Sequence, residues 1–114
     1  MENCVFCKIV KGDIPSQKVY EDDKVLVFKD INPEAPVHIL AIPKEHIESV
    51  NEINEENSKI ISHIFFIISK VTKELGIDKS GYRIVNNCGK DGLQTVPHLH
   101  FHVFGGKTLK WPPV

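Results

Sequence analysis

The chain has 114 residues, 41% hydrophobic and 25% charged, with a formal net charge of −1 when histidine is neutral; this is the size and composition of one soluble domain with a core of its own. A near-neutral balance without a basic stripe argues against polymeric nucleic acid as a partner. The longest apolar run, Ile64 to Ile68, falls far short of the roughly 20 residues that a bilayer span needs, so no membrane association is expected. Three cysteines and an N-terminus without basic or apolar leader character lead to the expectation of a reducing, cytoplasmic setting.

No repeat or low-complexity tract interrupts residues 1–114, which read as a single domain. Cys4 to Val10 is expected as a short helix, stopped by Gly12 and Pro15. Lys18 to Glu21 and Val25 to Lys29 read as strands, and Glu21-Asp22-Asp23-Lys24 turns them into a hairpin. Asp30-Ile31-Asn32-Pro33 and Pro36 break the pattern into a loop. His38 to Ile42 is a third strand, ended by Pro43. Asn54 is a suitable N-cap, with Glu55 and Glu56 in the first turn. The helix should then run to about Leu75 and stop at Gly76. Ile60, Ile61, Ile64, Phe65, Ile68, Val71 and Leu75 follow helical spacing. Phe66 and Ile67 widen that stripe beyond what one small sheet needs, which points to a subunit contact. Tyr82 to Asn86 is a fourth strand, Asn87 to Gly92 a Gly-rich polar loop, and His98 to Phe104 a fifth strand; residues 105–114 form a tail with the sole tryptophan, Trp111. One long helix with hairpin-linked strands predicts an α+β fold on an antiparallel sheet.

The most informative segment is His98-Leu99-His100-Phe101-His102-Val103-Phe104. In a strand, alternate side chains share a face, so three imidazoles stand roughly 6–7 Å apart on one side, while Leu99, Phe101 and Val103 enter the core. Such a face can attack phosphorus and move protons, or chelate a catalytic metal; spacing alone does not choose. Cys4-Val5-Phe6-Cys7 is a C-x2-C knuckle. With no strand before it, half of a zinc site fits better than a redox pair. His46 and His98 are candidate partners that spacing cannot single out. His63 on the helix, Cys88 in the polar loop, and Glu52, Glu55 and Glu56 at the helix start read as ordinary surface residues.

The alternating motif resembles the His-x-His-x-His-x-x signature of the histidine triad superfamily. Ile14-Pro15, Glu21-Asp22, Phe28-Lys29-Asp30-Ile31, Ala35-Pro36, His38, Ile42-Pro43-Lys44, His46-Ile47, Tyr82-Arg83, Asp91-Gly92, Gln94-Thr95, Gly105-Gly106 and Trp111-Pro112-Pro113 are similar to its Hint branch of purine nucleoside phosphoramidases. The resemblance implies a five-stranded antiparallel sheet with one long and one short N-terminal helix, the sheets of two subunits being joined in a homodimer. It implies His100 as nucleophile, His102 as donor to a phosphate oxygen, and His38 as the fourth histidine. Gln94, Thr95, Asn87 and Leu93 would lie on the phosphate side, Thr95 also near the leaving group. Asp30 would grip the ribose and Phe28 and Ile31 wall the purine. Trp111 would reach the partner subunit's pocket. Cys4, Cys7, His46 and His98 would hold a structural zinc, and no organic cofactor is implied.

Leu93 stands where many relatives have Gly, Pro97 where many have a bulkier residue, and Val114 where Gly is common; these departures bear on leaving-group choice rather than on the reaction. The function expected is hydrolysis of purine nucleoside 5′-monophosphoramidates through a covalent nucleotidyl-histidine. The rivals are a dinucleoside polyphosphate hydrolase of the same superfamily and a non-catalytic nucleotide-binding scaffold.

Overall fold

The computed structural model describes residues 3–114. Helix α1 (Val5–Lys11) starts on Cys4, whose Sγ accepts the Cys7 N–H at 3.4 Å. It ends at Gly12, where φ is 86° and a side chain would be strained. Strands β1 (Lys18–Glu21) and β2 (Val25–Lys29) form the expected hairpin. Asp22 builds its turn: Oδ1 accepts the N–H groups of Lys24 and Val25, both at 2.8 Å. Its Oδ2 accepts the Tyr20 hydroxyl at 2.9 Å and meets His63 Nε2 at 2.7 Å. Burial alone would raise this carboxyl's pKa, but the four donors outweigh burial and hold it well below the usual carboxylate range.

The remaining elements are β3 (Val37–Pro43), a single 3-10 turn (Val50–Glu52), α2 (Lys59–Glu74), β4 (Tyr82–Val85) and β5 (Phe101–Gly105). The five strands form one antiparallel sheet in the order β1-β2-β3-β5-β4. No helix among the described residues is long and apolar enough to cross a membrane. Strand alternation gives the sheet two different faces. On one, Val25, Val27, Ile39, Ala41, Leu99, Phe101 and Val103 pack against Ile64, Ile67, Ile68 and Val71 of α2. On the other, Leu26, Phe28, Leu40 and Ile42 lie against Cys4 and against Phe6, Cys7 and Ile9 of α1. The histidines share this second face.

Two boundaries differ from the sequence reading by more than a single residue. Asn54 Oδ1 accepts the N–H groups of Glu56 and Asn57 at 2.9 and 3.0 Å, but it caps only the turns of residues 55–58; the regular helix begins at Lys59, with Ser58 as its N-cap. Asn57 explains the delay: its Oδ1 takes the Asn54 N–H and its Nδ2 donates to Glu52 O, local bonds that compete with the helix. Strand β5 begins at Phe101 rather than His98. Pro97 brings no N–H, the His98 N–H turns back to Val96 O at 2.8 Å, and the Leu99 N–H reaches Ile47 O. The alternation of facing survives this irregular start. On α2, Ile67 is fully in the core, whereas Phe65 and Phe66 are exposed.

Candidate functional site

The β3–β5 ladder opposes His38 to Phe104 and Leu40 to His102. His38 and His102 are therefore diagonal neighbours on one face, and His38 Nε2 lies 3.0 Å from His102 Nδ1. His100, two residues back along the chain, places its ring 5.2 Å from that of His102. Phe6 of α1 closes over it edge-on at 5.1 Å.

The hydrogen bonds fix where each proton sits. The Glu34 N–H donates to His38 Nδ1 at 3.1 Å, so a neutral His38 carries its proton on Nε2. That N–H donates to His102 Nδ1 and lies 3.4 Å from Asp30 Oδ2. His102, accepting at Nδ1, carries its own proton on Nε2 and presents a donor. For His100 the order is reversed. Its Nδ1 lies 2.7 Å from the His98 carbonyl, which can only accept, so Nδ1 is protonated and Nε2 keeps a bare lone pair. Burial keeps all three rings neutral at pH 7: it pushes His38 and His100 down and His102 down to about 4. For His102 the neighbouring His100 and His38 add to the effect. One imidazole thus offers a lone pair beside another that offers an N–H, the pairing that in-line attack on a phosphoryl group requires.

A second cluster lies deeper. Ligand atoms of Cys4, Cys7, His46 and His98 all fall within 4.8 Å of one another. Cys7 Sγ is 3.2 Å from His46 Nδ1 and 3.5 Å from His98 Nδ1, and Cys4 Sγ is 3.4 Å from His98 Nδ1. Tetrahedral zinc with Zn–S near 2.3 Å and Zn–N near 2.0–2.1 Å needs donor separations of about this size. The hydrogen bond behind one ligand also fits. His98 Nε2 lies 2.8 Å from the Pro43 carbonyl, so its proton is there and Nδ1 faces the sulfurs as a free ligand. Asp30, His38 and His102 also converge within 4.8 Å, but their chemistry differs. The Glu34 amide forces the His38 proton onto Nε2, the atom a metal would need, so this trio is a hydrogen-bonded chain rather than a ligand set.

Other residues singled out from the sequence fall around this centre or away from it. Asp30 accepts the Asn32 N–H at 2.8 Å through Oδ1 and keeps Oδ2 toward His38. Phe28 is buried and packs edge-on against Phe6 at 5.6 Å, while Ile31 is 89% exposed at the loop tip. Gln94 is committed to backbone groups of its own loop and of the segment at Glu48: its amide donates to the carbonyls of Glu48 and Val96 at 2.7 and 3.0 Å and accepts the Gly89 N–H at 3.0 Å. Asn87 donates to Gly92 O at 2.7 Å. Leu93 and Thr95 are exposed along an open cleft of about 670 Å³ shared with Glu48 and Pro97. Leu93 has φ 58°, a left-handed conformation that favours glycine over a side chain such as leucine. Trp111 is 77% exposed, its ring 5.8 Å from the Arg83 guanidinium, and Arg83 also donates to Lys110 O at 2.9 Å. The tail therefore meets the Arg83 side chain of β4 in its own chain. Sequence reasoning missed the Glu34 amide, the Phe6 ring, and Asn86, whose Nδ2 donates to His100 O at 2.9 Å. Glu34 and Asn86 carry no motif, and Phe6 enters its motif only as a spacer; each contact becomes visible only when distant segments meet.

Comparison with known proteins agrees with this architecture. Residues 3–110 match the family model described as scavenger mRNA decapping enzyme C-term binding. A HIT-like protein of Buchnera aphidicola subsp. Baizongia pistaciae is 49% identical over 105 residues, 92% of this chain and 94% of its own. A histidine triad protein from Clostridium difficile is 53% identical over 96% of both chains, with a TM-score of 0.94. A HIT family hydrolase from Clostridium thermocellum is 52% identical over 100% of this chain and 99% of its own, with a TM-score of 0.97.

Proposed function

The chain belongs to the histidine triad family, and from that premise we propose that it hydrolyses the P–N bond of purine nucleoside 5′-monophosphoramidates through a covalent nucleotidyl-His100. The observation that carries the reading is the split in proton placement: bare Nε2 on His100 beside a donor Nε2–H on His102. The His100 lone pair attacks phosphorus; a P–N bond to the imidazole forms as the P–N bond to the amine breaks, and the amine leaves with a proton. Water then attacks the same phosphorus, a P–O bond forms, the imidazole leaves and the nucleoside 5′-monophosphate is released. His102 holds a non-bridging oxygen through both displacements. His98 commits its Nε2–H to Pro43 O, so the leaving amine's proton comes from Thr95, a bound water or the substrate.

The groups hydrogen-bonded into the histidine face are imidazoles, a carboxylate and a backbone amide. They supply little positive charge, which favours an amine over a pyrophosphate as leaving group. The Hint branch is preferred over its cap-scavenging relatives on Trp111-Pro112-Pro113, a segment outside the family match to residues 3–110. Asp30 takes the ribose hydroxyls. Cys4, Cys7, His46 and His98 hold one zinc, which supplies a structural crosslink. A C2 homodimer joins the β4 edges and covers the exposed Phe65 and Phe66, and Cys4, Cys7 and Cys88, none of them in a disulfide, suit the cytoplasm. The test is incubation with a tryptamine–adenosine phosphoramidate. AMP should be released by the native protein and not by His100→Ala, which should still fold and bind AMP. Turnover near the native rate in that variant would overturn the mechanism.

A further inference from the structure

The nucleophile stands where the sheet gives it least support. The β4–β5 ladder ends at Val85 opposite His102, and the β3–β5 ladder ends at Ala41 opposite Phe101. Neither reaches His100, whose backbone is irregular although its residue is buried. The first residue after β4 fills the gap. Asn86 Nδ2 donates to the His100 carbonyl at 2.9 Å, taking the place of a ladder bond.

We infer that Asn86 is a positioning residue for His100, fixing the peptide that follows the nucleophile where neither neighbouring strand pairs with it. The inference rests on the proposed role of His100. The imidazole is anchored at one end by its bond from Nδ1 to His98 O, within the same unladdered stretch. If the His100 carbonyl is released, the segment from His98 to His100 can rotate, the Nδ1 bond loosens, and the bare Nε2 loses its aim. Binding of the nucleotide through Asp30 and His102 does not pass through this contact. The effect therefore falls on the chemical step, not on affinity.

Two near-isosteric variants of the full-length protein test this. Asn86→Leu leaves the carbonyl without its donor; Asn86→Asp presents a carboxylate at neutral pH and an O–H donor once protonated. With tryptamine–adenosine phosphoramidate, both should lose about 10- to 100-fold in kcat at pH 7, the scale of a misplaced reacting group, with KM within about twofold. For Asn86→Asp alone, the ratio of variant to native kcat should climb as pH falls and the introduced carboxyl takes up its proton. In substrate-free protein, ¹⁵N spectra of the imidazoles should show the His100 Nδ1–H form in the native chain and exchange averaging in Asn86→Leu. A kcat within twofold of native in both variants with an unchanged His100 spectrum would overturn the assignment. So would a loss that merely tracks the folded fraction in thermal melts and shows no pH rescue. A native protein without phosphoramidate turnover would reject the hydrolase reading instead, and the imidazole spectra would then decide the role of Asn86.

Discussion

His38 offers a sharp test because its two nitrogens do different work and can be imitated one at a time. Asparagine places its polar atoms near the position of Nδ1, so His38→Asn keeps an acceptor for the Glu34 N–H and loses the 3.0 Å donor to His102 Nδ1. Glutamine extends to the position of Nε2, so His38→Gln keeps that donor. Both lose the ring that packs 4.2 Å from Phe104, which makes each a packing control for the other. Without its donor, His102 can adopt the opposite tautomer and present a lone pair to an anionic phosphate oxygen. One lost hydrogen bond of about 1 kcal/mol sets a floor of roughly fivefold in rate. Complete loss of an oxyanion donor, about 10²–10³-fold, sets the ceiling. His38→Asn should therefore lose between about 5- and 1,000-fold in kcat for AMP release at pH 7, while His38→Gln stays within about threefold. AMP affinity measured by calorimetry should fall in His38→Asn, because His102 also holds the bound phosphate, and stay near native in His38→Gln. Equal activity in the two variants, or a more active asparagine variant, would refute the proton chain from Glu34 through His38 to His102.

Further outcomes follow from other parts of the molecule. Protein purified without chelator should carry about one zinc per chain by elemental analysis, and Cys4→Ala with Cys7→Ala should lower thermal stability more than turnover per folded molecule; zinc absent even after its addition would reject the site. Asp22→Asn should cost about 1.5–3 kcal/mol at pH 7, since an amide cannot replace all four bonds to the carboxylate, or roughly 6–12 °C in Tm. The folded pKa of Asp22 is depressed, so its stabilisation is present above the unfolded value of about 3.9 and is lost as pH falls below it; a Tm gap between native and variant that stays constant down to pH 3 would contradict this. Light scattering should give about 26 kDa, twice the 12.9 kDa chain, and deleting residues 110–114 should keep the dimer but reorder the preferred amine leaving groups; a fully active monomer would defeat the first expectation and an unchanged ranking the second.

What the sequence conveyed and what it hid divide along the range of the interactions. Strands β1 and β2 lie where the alternation of apolar residues puts them because a local device, the Asp22 turn, sets their ends. The start of α2 was misplaced because its delay depends on an Asn57 side chain that satisfies two backbone groups at once, and propensity does not register such a bond. The histidine alternation was legible, but its meaning was not complete. Three imidazoles on one face are chemically equivalent until the groups opposite them are known, and those come from elsewhere in the chain. Glu34, in a proline-rich loop, orients His38 and through it His102; the Pro43 carbonyl at the end of β3 orients His98. His100 alone turns to a local partner, the carbonyl two residues before it. That contact is possible because Pro97 and the bend at His98 keep the segment out of the ladder until Phe101. A regular strand from His98 onward, as alternation alone suggested, would have committed that backbone to its neighbours. The departure from regular pairing is what leaves His100 with a bare Nε2 while His98 and His102 turn theirs to donors.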